Sequence, residues 1–114
     1  MPPQMRRNGT TAVIDLAGRI TMGEVVEEFR ALWTRAVESG ATQVLVNLTQ
    51  VTFLDSSGIG MMIRCHSAIT QRGGKVRLIG ANATVRQAFK VTRLDNIFEF
   101  HDSEQAAMAA SAGK

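Results

Sequence analysis

Residues Val44-Leu45-Val46-Asn47-Leu48 are apolar at nearly every position rather than at alternate ones. A strand with that pattern is covered on both faces, and such strands belong to parallel sheets flanked by helices. Val51-Thr52-Phe53-Leu54 extends the run after a break at Thr49-Gln50, and Val76-Arg77-Leu78-Ile79 and Ile97-Phe98-Glu99-Phe100 are two further strand segments. Helical patterns lie between them. In 24–39, Val25, Val26, Phe29, Leu32, Trp33, Ala36 and Val37 recur at helical steps as one apolar stripe, which makes Trp33 a core residue. Thr21 and Glu24 have capping-box spacing, and Gly40 is the stop. A second helix runs from the Asp55-Ser56-Ser57-Gly58 segment to about Arg72 and ends at Gly73-Gly74. A third is capped by Asn82 and runs to about Thr92, and a fourth opens at Asp102 with Gln105. At the front, Asn8-Gly9 is a type I′ turn signal joining strands at 3–7 and 10–17. The expected fold is therefore α/β: a mixed, mostly parallel β-sheet with an N-terminal hairpin and about four α-helices, joined by right-handed crossovers.

A chain of 114 residues is expected to form one domain over 1–114, with its ordered core at about 4–110. The small-residue tail from Ala106 to Lys114 is expected to fray at its end. Cys65 is the only cysteine, so neither an intrachain disulfide nor a multi-cysteine metal site is available. No apolar run approaches the roughly 20 residues a membrane span needs. Met1-Pro2-Pro3-Gln4-Met5-Arg6-Arg7 leads into polar residues rather than an apolar signal core. These features point to a soluble, cytoplasmic protein. The net charge of +3 comes from basic residues scattered along the chain without interleaved aromatics, so no nucleic-acid footprint is expected.

Enzyme chemistry finds little to work with. The Gly-x-Ser-x-Gly elbow is absent, and the only histidines are His66 and His101. His66 lies about 15 Å of helical rise beyond Ser56, out of reach for a base. Cys65 and His66 are neighbours on a helix and point about 100° apart, so they do not share a metal. Gly58-Ile59-Gly60 lacks the third glycine of a dinucleotide loop, and no Walker lysine pattern occurs. No catalytic residue, metal or cofactor is expected. His66 is expected to be a partly buried structural residue.

Asp55-Ser56-Ser57-Gly58-Ile59-Gly60 follows a buried strand and opens a helix. Two readings compete. In one, Ser56 is a helix N-cap, its hydroxyl accepting an amide of the first turn. That leaves unexplained two glycines in the first turn, where each costs about 1 kcal/mol relative to alanine. In the other, Ser56 is a phosphoacceptor on a positive helix end, where a phosphate of about −1.5 to −2 charges is tolerated by the fold and repels a docking partner. The helix itself carries apolar residues Ile59, Met61, Met62, Ile63, Cys65, Ala68 and Ile69, too wide a stripe for one face against a sheet. If one methionine is exposed, it is Met61, on the flank away from Ile59, Met62, Ile63 and His66.

The segments Val46-Asn47-Leu48, Val51 to Gly60, and Gly73-Gly74-Lys75-Val76, continued by Leu78, Val85, Phe89, Leu94, Phe98 and Ser103 to Ala107, resemble a STAS domain of the anti-sigma factor antagonist family. The resemblance covers about residues 10–110. It implies a partner-switching role. The unphosphorylated domain binds an anti-sigma factor that is also a serine kinase and so releases a sigma factor. The kinase phosphorylates the first serine of the motif, here Ser56, the complex separates, and a PP2C-type phosphatase resets it. Asp55, Ser57, Gly58, Ile59, Gly60 and Met61 are the expected partner-binding residues. The alternative is a STAS module with a non-sigma role, as a soluble subunit of a lipid transporter or a stressosome-like scaffold. One departure stands out: many members carry Gly-Glu-Leu-Asp before the first helix, whereas here Arg19 and Thr21 replace the acidic pair within Gly18-Arg19-Ile20-Thr21-Met22-Gly23-Glu24.

Overall fold

The computed structural model describes residues 2–112; Met1, Gly113 and Lys114, the last two in the stretch expected to fray, lie outside them. The elements in chain order are β1 (Gln4–Asn8), β2 (Thr11–Ile20), α1 (Glu24–Glu38), β3 (Gln43–Leu54), α2 (Ser56–Thr70), β4 (Lys75–Ile79), α3 (Ala83–Val91), β5 (Glu99–His101) and α4 (Glu104–Ala112). The sheet order follows the chain, β1-β2-β3-β4-β5. β1 and β2 are antiparallel and every other pair is parallel. When parallel strands are laid down in one direction, right-handed crossovers place every connecting helix on the same face. The main core lies on that face, with Ile14, Val46 and Leu78 of the strands under Phe29, Met62 and Phe89 of the helices. α4 crosses to the other face, where Ala107 packs on Val13, Leu45 and Ile79. It covers only part of that face. No helix among the described residues is long and apolar enough to cross a membrane.

The near-continuous apolar run is explained by this arrangement: Val44, Val46 and Leu48 face the three helices while Leu45 faces α4. Buried beside it, Arg77 donates from Nε to Glu99 at 2.7 Å and from Nη1 to Gln43 and to Ser111, tying α4 to three strands.

Several local expectations are corrected. The hairpin loop is Gly9-Thr10, since Asn8 pairs with Thr11, and only Gly9 has positive φ (63°), the pattern of a type II′ turn rather than I′. The break at Thr49-Gln50 is a bulge inside one continuous strand: the register with β2 shifts between Asp15 and Ala17 and again between Gly18 and Arg19. Thr21 caps nothing. Gly23, at φ 125°, takes the N-cap of α1 and no side chain bonds there, because the chain turns into the helix two residues past Thr21. Ser103 rather than Asp102 caps α4, accepting the Ala106 amide at 3.1 Å, because that helix begins one residue later than expected. Ile97 and Phe98 belong to a turn in which both amides donate to the Leu94 carbonyl, so the last strand is only Glu99–His101.

Candidate functional site: the turn from β3 into α2

Asp55, not Ser56, caps α2. One carboxylate oxygen accepts the Gly58 amide at 2.8 Å and the other accepts the Met22 amide at 2.9 Å. The same residue donates its own amide to the Ile20 carbonyl at 3.3 Å. Asp55 therefore fastens the loop between β2 and α1 to the start of α2. These two amides hold its carboxyl below the usual carboxylate range. The N-cap reading of Ser56 is thus corrected: Ser56 is the first helical residue, exposed, and Ser57 after it is half-buried. The competitor won because a carboxylate offers two acceptor atoms and a serine hydroxyl offers one, and this turn has two amides to satisfy.

Gly58 is required by the approach of α2 to β2. A Cβ at this position meets the Ile20 carbonyl oxygen at 2.5 Å and Leu54 Cδ2 at 3.2 Å. Gly58 is buried in this contact. Gly60 has nothing within 4 Å of its Cβ position and sits at the surface between two shallow grooves. One, of about 330 Å³, runs between α2 and α3 past Ser56, Ile59, Ile63 and Val91 and is almost wholly apolar. The other, of about 300 Å³, runs between α1 and α2 past Met22, Ser57, Met61 and Arg64. The two serines thus open onto different grooves.

Met61 is not the exposed residue of the helix. It is 5% exposed, and Ile63 is 43% exposed. Both lie on flanks of α2, but α1 packs closely along the Met61 flank, whereas α3 stands off from the Ile63 flank. Ile59, also buried, forms the floor of the α2–α3 groove. Two surface residues escaped sequence reasoning: Met22 and Val91, 79% and 67% exposed. A long apolar side chain next to the loop glycine Gly23 was the available signal for Met22. For Val91 the signal was its place two residues past Phe89, about 200° round the helix and so off the inward face of α3.

Cys65, His66 and Arg19 do not open onto the two grooves. Burial pushes the Cys65 thiol up to about 12. His66 is half-buried, packs edge-on against Phe98 at 5.1 Å, and is shifted below the usual histidine value by burial. Arg19 lies on the side of β2 opposite Ile20, with its guanidinium 4.5 Å over the Phe53 ring, facing away from the turn between β3 and α2. Among the described residues, no three His, Cys, Asp or Glu side chains come together as a metal site would need.

The profile of the STAS domain family matches residues 2–107. The chain belongs to the STAS domain family. Among its relatives, the anti-sigma-B factor antagonist of Listeria monocytogenes is 28% identical over 91 residues, covering 80% of this chain and 79% of that protein. Among solved structures, the anti-sigma factor antagonist SpoIIAA in its unphosphorylated form is 27% identical, covers 98% of this chain and 97% of its own, and superposes with a TM-score of 0.83. The phosphorylated form of the Bacillus SpoIIAA is 26% identical, covering 95% of this STAS domain and 98% of its own length at a TM-score of 0.76. The mixed five-stranded sheet with four helices is the fold expected of the family.

Proposed function

We propose that this STAS domain is a cytoplasmic anti-sigma factor antagonist that works by partner switching. It is a substrate of its partner kinase rather than an enzyme. In its unphosphorylated state it binds an anti-sigma factor with serine kinase activity and so frees a sigma factor. Ser56 is the acceptor: its Oγ attacks the γ-phosphorus of ATP, the bond to the β–γ bridging oxygen breaks, ADP leaves, and a base on the kinase takes the hydroxyl proton. A PP2C-type phosphatase hydrolyses the ester and returns the domain to its binding state.

The observation that carries this reading is the setting of Ser56. It is an exposed hydroxyl on the first residue of α2, bordered by an apolar groove with Ile63 and Val91 on its rim. Asp55, the nearest charge, is committed to two backbone amides. A partner therefore meets an apolar surface with little charge to desolvate. A phosphate adds about −1.5 to −2 charges there. Leaving such a charge unpaired in an interface costs about 2–5 kcal/mol, or roughly 30-fold to several-thousand-fold in affinity. The likeness to SpoIIAA, known in both forms, supports the same switch.

The test is a titration of wild type, Ser56→Ala and Ser56→Asp against the isolated kinase in the presence of ADP. Ser56→Ala is expected to bind like wild type and to accept no phosphate. Ser56→Asp is expected to bind about 30-fold more weakly, the lower end of the range, because aspartate carries less charge and bulk than phosphoserine. Equal dissociation constants for all three, or phosphate still incorporated at this turn in Ser56→Ala, would overturn the assignment.

A further inference from the structure

Further along the helical face, between α1 and the end of α2, lies another groove of about 400 Å³. It is lined by Arg30, Trp33, Arg64, Ser67, Ala68 and Gln71. No carboxylate lines it. Arg30 has an exposed partner on its own helix, Glu27, at 3.3 Å from its Nε. Such a pair contributes little and leaves the terminal nitrogens of Arg30 available. Among the described residues, Arg64 has no carboxylate within ion-pair distance. The Ser67 hydroxyl already accepts a hydrogen bond from Gln71 at 3.2 Å, so its proton is available to donate.

Trp33 supplies an independent observation. It is 9% exposed, and its Nε1 is the one buried side-chain polar atom without a hydrogen-bond partner among the described residues. Buried donors are almost always satisfied, and leaving one without an acceptor is unfavourable. Two guanidiniums from different helices and a hydroxyl proton thus meet at one groove that lacks an anion, against a tryptophan whose N–H lies buried and unpaired.

We propose that this groove is an oxyanion site. A phosphate or carboxylate group of a small ligand sits between the guanidiniums of Arg30 and Arg64, with Ser67 as a neutral donor. Planar guanidiniums bind both kinds of oxyanion through paired, charge-assisted hydrogen bonds. Arg64 also lines the neighbouring groove beside Met22 and Ser57. A bound anion therefore neutralises a charge at the margin of the acceptor turn. The site stands apart from partner switching and does not need a kinase to be detected.

Trp33 is the only tryptophan and the chain has no tyrosine, so its emission reports on the groove alone. The protein is titrated with inorganic phosphate and, separately, with succinate, at constant ionic strength. Calorimetry reads binding that leaves the emission unchanged. Saturable binding of at least one of them is expected, and whichever binds more tightly identifies the ligand as a phosphate or a carboxylate. Arg64→Ala is expected to melt like wild type and to bind that anion at least about tenfold more weakly, through loss of one charge-assisted contact. No saturable binding of either anion, or an unchanged dissociation constant in Arg64→Ala, overturns the proposal.

Discussion

Substituting Gly58 and Gly60 by alanine, one at a time, sets two effects of the same chemical change against each other. Both glycines lie in the first turns of α2, where alanine is the better helix former by up to about 1 kcal/mol. At Gly58 the new methyl lies 2.5 Å from the Ile20 carbonyl oxygen, so a relaxed contact of 3.4 Å requires the turn to retreat by about 0.9 Å. That carbonyl also accepts the Asp55 amide, and Asp55 holds the amides of Gly58 and Met22. The retreat therefore stretches the cap as well as the packing. Overpacking costs about 1–3 kcal/mol and a weakened cap up to about 1 kcal/mol more. Less the propensity gain, Gly58→Ala is expected to lose about 1–3 kcal/mol, a fall in Tm of about 3–15 °C for a chain of this length. At Gly60 no atom lies within 4 Å of the methyl. Only the propensity term remains there, and Tm is expected to rise by about 2–5 °C. Thermal melts by circular dichroism at one protein concentration read both. A Gly58→Ala variant that melts at or above wild type would refute the claim that close approach to β2 is what this glycine is for.

The other expectations concern Asp55, Ser56 and Cys65. The Asp55 carboxyl is held below its ordinary value of 3.8, so its contribution to stability is fully present above that value and is lost as pH falls through the lower folded value. The stability difference between wild type and Asp55→Asn should therefore be constant from about pH 7 to pH 5 and shrink below about pH 4; urea melts across that range test it, and a difference that grows on acidification contradicts the clamp. Ser56→Asp should leave Tm within about 3 °C of wild type, because the residue is exposed and the positive helix end offsets the repulsion between the new carboxylate and the capping Asp55. A much larger fall would mean that Ser56 is packed rather than displayed. Cys65, fully buried with its thiol pushed up to about 12, should resist a maleimide in the folded protein at pH 8 and react once urea unfolds it; rapid labelling of the native protein contradicts its burial.

The order of elements, the mixed sheet and the place of the turn from β3 into α2 were legible in the sequence because each rests on local chemistry. Hydrophobic periodicity marks which residues must be buried, and a doubly covered run such as Val44 to Leu48 already implies helices on the sheet. The Asp55 to Gly60 segment stood out because two glycines in a first helical turn demand a reason. Tertiary structure decided what those residues do. Asp55 became the cap because the Met22 amide, 33 positions away in the chain, supplied its second donor. Gly58 is needed because β2 ends against it, and Gly60, two residues on, meets nothing. Met61 is covered and Ile63 is displayed because α1 packs close to α2 and α3 stands off, a difference in helix spacing that no helical wheel contains. Caps and exposure depend on which partners arrive from distant parts of the chain, so periodicity gives the face of a helix while only packing decides which of its edges stays open.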